Sequence, residues 1–418
     1  MSYLASDGTR RWHGGRNFPE EEMAMQMESF AKTGITPDIA GADLSYALKL
    51  QYERWNTKGL KASISIIPEG NSKPSGGFDV RWHDAKYIHV RKPELVNRII
   101  KYYRDGKCIS EKNTSVAINA IVTDTYVDSG MLENDIYSCP SCGGNSRIRE
   151  LMEGCPYCGA RFMMQDLFPK VTNFFTYDSD TKEATDKLKI GMHIGGVILL
   201  LYAIIRGLIE GQMAMVILSP LFYPMGMFMG LVAEALPFLV YIFYRANKDI
   251  SQYLGSKRSE RKIEKKLLQY DRFFSYKLFE GQIFSFLKMA LFSENVDNLA
   301  CFEGSSIPEK YKNLIDMDYS GSISLKKIEL VGDEIRLTLG LNLINTYYVR
   351  RVKYKREQVK LQVAKKINAV EMPGFSIKKV ECRSCGGSFD ATRQRICPYC
   401  KSTYDMKENN WVITEIFS

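Results

Sequence analysis

A long apolar stretch constrains this chain more than any other feature of its sequence. Across residues 190–209 only His193 and Arg206 are strongly polar. A helix of about twenty residues, rising about 1.5 Å at each, covers about 30 Å, the thickness of a bilayer's hydrocarbon core. A second apolar run, 213–244, is too long for one upright span, and Pro220 and Pro224 interrupt it. The pattern predicts a short interfacial or re-entrant piece, then a second helix at about 225–244. Together these make a two-helix transmembrane hairpin over 188–246.

The flanks of the hairpin orient it. Lys182, Lys187 and Lys189 precede the first span, and Arg245, Lys248, Lys257 and Arg258 follow the second. Between the spans, Arg206 at the edge is almost the only cation. By the positive-inside rule both flanking parts, and so both termini, are expected on the cytoplasmic side, as in a bacterial inner membrane. The first twenty residues lack the apolar core of a signal peptide, so no secretory processing is expected. The formal charge of +9 is concentrated beside the apolar stretch, at Lys257, Arg258, Arg261, Lys262, Lys265 and Lys266. Lipid headgroups account for much of that excess without a nucleic-acid partner.

Eight of the ten cysteines fall into two matching sets. The first is Cys139-Pro-Ser-Cys142-Gly-Gly, followed by Cys155-Pro-Tyr-Cys158-Gly. The second is Cys382-Arg-Ser-Cys385-Gly-Gly, followed by Cys397-Pro-Tyr-Cys400. Each Cys-x-x-Cys pair forms a knuckle that turns both sulfurs to one side, and two knuckles about a dozen residues apart surround one tetrahedral ion. The expected cofactors are therefore two structural Zn2+ ions, one in each four-cysteine ribbon. Disulfides, a redox pair and an iron–sulfur cluster are the rivals; a cytoplasmic setting disfavours the first, and the doubled spacing favours zinc. Four thiolates fill a tetrahedral shell and leave no position for substrate. Lys401 stands where the other three knuckles have glycine.

Around these landmarks the sequence predicts an α+β protein. An N-terminal segment, 1–40, carries a short docking helix at 20–32. A first α+β domain, 41–178, holds a helix ending near Gly59, alternating strands around Val80 and Val116–Val122, a helix from Pro93 to Tyr103, and the first ribbon, 139–158. After the membrane hairpin, 257–292 reads as one long helix. Strands follow at 323–331 and 334–343, joined by the turn signal Gly332-Asp333, and then at 359–363 and 411–417. The second domain, 257–418, is thus a helix on a curved antiparallel sheet with the second ribbon, 382–400, inserted before its last strand. The first ribbon likewise precedes an apolar strand, Val171–Phe175, so a strand–ribbon–strand unit is expected twice.

The C-terminal part resembles a known family. A long helix, antiparallel strands and a final strand beginning Trp411-Val412-Ile413, with a CxxC…CPYC ribbon ahead of it, is similar to bacterial membrane proteins related to mitochondrial inner-membrane translocase subunit forty-four. The resemblance covers about 257–418 and implies a cone-shaped domain like nuclear transport factor two, with an apolar pocket under its helix. It also implies membrane association and the binding of a protein or lipid partner, and it carries over no catalytic residue.

No catalytic constellation is evident. His13, His83, His89 and His193 make no metal or triad pattern, and neither a P-loop nor a dinucleotide fingerprint is present. A non-enzymatic membrane scaffold is expected, in contact with membrane lipids and a protein or lipid partner. The competing readings are a membrane-tethered ribbon protein that binds nucleic acid, given Lys378, Lys379, Arg383, Arg393 and Arg395 around the second ribbon, and an oligomeric channel or transporter subunit. Glu234 falls near the middle of the second span, where a carboxylate is costly. It is expected either to be protonated or to hydrogen-bond across a homo-oligomer interface, with Gly226 and Gly230 allowing close helix approach.

Overall fold

The computed structural model describes residues 2–4, 10–12, 19–68, 80–84, 87–91, 93–125, 136–139, 142–159, 163–165, 170–178, 181–367, 376–382, 384–390, 393–408 and 410–417, with the backbone alone over stretches that include 181–191, 234–253 and 376–381. It is a mixed α and β structure with antiparallel sheets. The chain divides into two compact units: residues 1–177 with 256–418, and residues 178–255. The segments that the sequence separates at the apolar region thus come together in space as one unit.

That unit starts with a two-stranded ladder, β1 (Ser2–Leu4) and β2 (Arg10–Trp12), and the helices α1 (Pro19–Thr33) and α2 (Ala42–Thr57). Helix α1 packs one face inward, with Met23, Met27, Phe30 and Ala31 buried and Met25 exposed on the other face, and the Phe30 ring lies 5.8 Å from that of Trp55 on α2. Gly59, at φ 66°, turns the chain out of α2 into β3 (Lys61–Pro68). The strands β4 (Val80–His83), β5 (Tyr87–Arg91), β6 (Glu94–Arg104) and β7 (Lys107–Thr125) follow.

The helix expected at 93–103 is strand β6. Its buried positions alternate, with Val96, Arg98, Ile100 and Tyr102 inward, and its β-branched residues suit a pleated surface sandwiched between β3 and β7. After β7 come the first ribbon, with β8 (Ile136–Ser138), β9 (Asn145–Arg147) and the short helix α3 (Ile148–Glu153), then β10 (Met163–Gln165) and β11 (Lys170–Asp178). The resulting six-stranded sheet runs β3-β6-β7-β5-β4, with β11 also paired to β7.

The unit 178–255 is helical. Helix α4 (Thr181–Ile209) leads through α5 (Met213–Ile217) and a 3-10 turn at Ser219–Leu221 into α6 (Phe222–Leu267), which continues out of this unit. Among the described residues one helix is long and apolar enough to cross a membrane, at Met192–Ile209, where two spans were expected. The second expected span lies within α6, and Glu234 belongs to a stretch whose side chains lie outside the described residues.

α4 and α6 meet through glycine. A Cβ on Gly195 would fall 2.6 Å from the Gly226 carbonyl oxygen and 2.8 Å from Gly230 Cα. The Gly226/Gly230 spacing, expected between chains, is therefore used within the chain. Large apolar side chains point the other way: Ile198, Leu208 and Phe228 are 62%, 60% and 65% exposed.

In the larger unit α6 ends at Leu267, and the single helix expected over 257–292 is interrupted. Asp271 Oδ1 accepts the Phe273 N–H at 2.9 Å, and Ser275 caps a new helix, α7 (Tyr276–Phe292), by accepting the Leu278 N–H. Three long strands follow, β12 (Leu314–Val331), β13 (Glu334–Tyr348) and β14 (Val352–Lys366), with Gly332 at φ 64° in the first turn. Then come β15 (Ser376–Glu381), β16 (Ser388–Asp390) and β17 (Val412–Ile416), and the sheet order is β12-β13-β14-β17.

The two segments follow one topology. Each has a helix and a short stretch bridged in parallel to the last strand, Ala40 to Val171 and Phe302 to Ile413. Each then has an antiparallel three-strand meander, a ribbon, and a last strand on the third strand of the meander. In the first segment the helix α2 and a hairpin, β4–β5, are added.

One apolar core joins them, with Ala47, Leu50, Ile121 and Phe175 from the first segment against Phe279, Phe284, Phe286, Leu337 and Trp411 from the second. Each fully buried side chain of this size contributes about 1.5–3 kcal/mol. Helix α7 approaches β11 closely because residue 281 is glycine; a Cβ there would fall 2.7 Å from the Thr172 carbonyl oxygen.

Candidate metal centres

Every knuckle is built the same way. In the first ribbon the Gly143 N–H donates to the Cys139 carbonyl at 2.7 Å, and Gly159 to Cys155 at 2.8 Å. In the second, Gly386 donates to Cys382 at 2.8 Å and Lys401 to Cys397 at 3.1 Å. All four donors have a left-handed backbone, with φ of 74°, 75°, 71° and 64° in that order. That conformation explains three glycines and marks Lys401 as the strained exception.

The second glycine of each Cys-Gly-Gly has a different purpose. A Cβ on Gly144 would lie 2.6 Å from the Tyr157 ring, and one on Gly387 would meet the Tyr399 ring in the same way. The tyrosine of each CPYC knuckle thus rests on the glycine of the opposite knuckle, and Tyr157 also donates to the Asn145 carbonyl at 3.2 Å.

These turns bring the eight sequence-predicted cysteines into two groups of four, each with all its sulfurs within 4.8 Å of one another. Sγ–Sγ distances are 3.7 Å for Cys139–Cys158 and Cys142–Cys155, 3.5 Å for Cys382–Cys400 and 3.8 Å for Cys385–Cys397. A tetrahedron with metal–sulfur bonds of 2.3 Å has edges of about 3.8 Å, whereas a disulfide needs about 2.05 Å. All ten cysteines are free thiols, so the groups fit a tetrahedral ion and not a pair of crosslinks.

Hydrogen bonds favour the thiolate form at Cys155, Cys382 and Cys400, whereas at Cys385 the Gly387 N–H is outweighed by the neighbouring thiols, which push the group up to about 12. Burial opposes ionisation of Cys155, but the N–H groups of Cys158 and Tyr157 outweigh it and bring the thiol down to about 7. Cys382 is drawn down to about 6 against the same opposition by the Ser402 hydroxyl and the N–H groups of Ser384 and Cys385. Ser402 Oγ lies 3.0 Å from Cys382 Sγ and 3.1 Å from Cys400 Sγ. Ligand spacing gives no hint of this serine; its place two residues after the last cysteine is the one sequence signal available.

The ribbons are anchored differently. In the second, Ala300 N–H donates to the Arg393 carbonyl, Arg395 N–H to the Asn298 carbonyl and Ile396 N–H to Asn298 Oδ1, tying it to the loop after α7. The Arg393 guanidinium lies 4.8 Å over the Tyr46 ring on α2. Beside the first ribbon, β10 pairs with β15, the strand that leads directly into Cys382, and β15 pairs in turn with β16 inside the second ribbon.

The remaining thiols and histidines lie elsewhere. Cys108 is exposed, and Cys301 is fully buried, with its thiol pushed up by burial. His193 on α4 is 2.9 Å from the Tyr223 hydroxyl, while His13 lies outside the described residues.

His89 is fully buried. Its Nε2 lies 3.0 Å from Asp84 Oδ2 and 2.8 Å from Ser275 Oγ, and its Nδ1 lies 2.9 Å from Thr123 Oγ1. A nucleophilic triad uses opposite ring nitrogens for the acid and the serine. Here both share one nitrogen, and Ser275 is itself a buried helix cap that donates to Asp84. The arrangement holds β5 to the start of α7.

A second polar cluster joins the segments. Arg98 donates both terminal nitrogens to Asp318, at 3.0 and 2.6 Å, while Asp316 accepts from Gln51 at 2.6 Å and Tyr102 at 3.2 Å. Burial raises the carboxyl pKa of both aspartates. For Asp318 the Arg98 charge outweighs it and holds the group low, while Asp316, with Asp318 beside it, stays high.

The chain matches no protein-family model, no curated protein and no solved structure.

Proposed function

We propose that this chain is a membrane-anchored scaffold stiffened by two structural zinc ions, which presents its larger unit to a protein or lipid partner at the cytoplasmic face. The observation that carries this reading is the inside-out polarity of unit 178–255, with glycine at the helix contact and Ile194, Ile198, Leu201, Ile205, Leu208 and Phe228 outward. A helix pair in water buries such side chains; in lipid, small residues pack between helices and large apolar ones face the acyl chains. On this reading α4 and the first part of α6 insert as the expected hairpin, and both termini are cytoplasmic.

The zinc assignment is supported by the sulfur spacing and by ligand sets of four thiolates each, which fill the shell of a structural ion. The scaffold role draws on the resemblance of 257–418 to the translocase subunit forty-four family, in which such a domain works as a tether. Carbonate washing of membranes tests the anchor: the chain is expected to stay in the pellet, and release into the supernatant overturns the reading. Elemental analysis should find about two zinc ions per chain. Tags near residues 2 and 418 should report the cytoplasm, and a tag near residue 211 the opposite side.

A further inference from the structure

The first ribbon leaves its second knuckle at Cys158 and reaches β10, whose Met163, Met164 and Gln165 pair with Lys379, Ile377 and Ser376 of β15. β15 ends at Glu381, directly before Cys382, and its Lys379–Glu381 stretch pairs with β16 within the second ribbon. One three-stranded sheet, β10-β15-β16, therefore has a four-cysteine group attached at each end. The second ribbon has further anchors at Asn298, Ala300 and Tyr46.

We propose that the two metal sites are coupled through this sheet, so that filling the second ribbon orders β15 and raises the affinity of the first for its ion. The inference rests on the zinc reading above. The physical chain is short. Without an ion the second ribbon has no fixed knuckles, and the strand entering Cys382 loses the turn that holds it against β16. β10 then has no ordered edge to pair with, and the ligands of the first ribbon must be ordered at the ion's expense. A site that pays this ordering cost alone binds more weakly than one whose neighbour has already paid it. By linkage the effect is reciprocal: filling the first ribbon must favour the second by the same factor. The sheet would also make metal loading join residues 1–177 to 256–418, the two segments separated in sequence by the apolar region.

The test uses the full chain in detergent, stripped of metal and titrated with Zn2+ against a competing chelator. Abolishing the second site with Cys385→Ser and Cys397→Ser is expected to weaken the first about tenfold, within the range usual for coupled sites. Ile377 pairs with β10 and not with β16. Ile377→Pro, or Met164→Pro on the other strand, should therefore remove the coupling while leaving all eight ligands, so that the first site binds equally with and without the second. Equal affinity of the first site in the wild-type and Cys385→Ser/Cys397→Ser backgrounds overturns the proposal, and so does a tenfold effect that survives both proline variants. The proline variants keep the test decisive if the cysteine variant unfolds, because the wild type should fill its sites together and they should fill theirs independently. Two ions bound independently in the wild type would sink the coupling alone; no bound zinc at all would sink the zinc reading.

Discussion

Lys401 holds a left-handed backbone, φ 64°, at the position that Gly386 occupies with φ 71° in the opposite knuckle of the same ribbon. Its N–H bond to the Cys397 carbonyl, at 3.1 Å, is longer than the 2.8 Å bond from Gly386 to Cys382. A side chain in this region costs about 1–2 kcal/mol. Glycine would relieve that strain but lose more freedom on folding, so Lys401→Gly should be better by about 1 kcal/mol. Zinc competition with a chelator should show the second site about fivefold tighter, with the first changed far less. An unchanged or weaker second site would mean that the Lys401 strain is relaxed elsewhere.

The bidentate Arg98–Asp318 pair joins β6 to β12 between residues 220 positions apart. Removing one partner of a buried pair strands the other charge and costs about 3–5 kcal/mol, whereas replacing both with apolar residues is often nearly neutral. Arg98→Met should therefore accelerate amide exchange in β6 and β12 strongly, and Arg98→Met with Asp318→Leu much less. If the double variant exchanges as fast as the single one, the pair itself stabilises the junction.

His89 makes another contact between the segments, that of β5 with the start of α7, sensitive to pH. Burial lowers its pKa more than Asp84 raises it, and Lys277 adds to the lowering while Glu280 opposes it. The folded chain thus holds this proton less readily than the unfolded chain. The resulting stability is complete above the unfolded value, about 6.5, and is lost as pH falls through it toward the lower folded value. Amide protection of β5 and of the start of α7, taken as exchange relative to the intrinsic rate at each pH, should fall below about pH 6.5 in the wild type. His89→Gln keeps some hydrogen-bonding capacity without the titration, so its protection should change less over that interval. Acid also releases metal from thiolates, so the difference between the two chains carries the result.

The cysteine groups were legible because four ligands and two glycines sit within a short, repeated motif. Strand β6 was not. Pro93 imitates a helix start, and Val96, Ile99, Ile100 and Tyr103 satisfy helical spacing as well as alternation does. What decides the matter is pairing with β3 and β7 on both edges. The break between α6 and α7 escapes for a similar reason, since apolar spacing continues across it and the Ser275 cap is a single residue. The union of the two segments depends on Gln51–Asp316 and His89–Ser275 contacts, which lie 265 and 186 residues apart, beyond any local pattern.

The contact between α4 and α6 leaves no room for a methyl group. A Cβ on Gly226 would fall 2.5 Å from the Gly195 carbonyl oxygen and 2.7 Å from Leu199 Cβ, while one on Gly196 would meet Tyr223 and Met227 at 2.8 and 2.9 Å. At Gly226 and Gly195 the obstacles include backbone, which cannot swing aside, so alanine must push the helices apart. In the membrane setting proposed above, lipid would provide no hydrophobic drive to close them again, because acyl chains solvate the exposed faces as well as leucine does. Overpacking of this kind costs about 1–3 kcal/mol. With spin labels placed at the exposed Ile194 and Met229 by a non-cysteine chemistry, Gly226→Ala and Gly195→Ala should each shift the distance distribution outward in a reconstituted bilayer. Gly255→Ala is the control, since its Cβ would meet nothing within 4 Å. If all three variants keep the wild-type distribution, these glycines do not set the spacing of the helices.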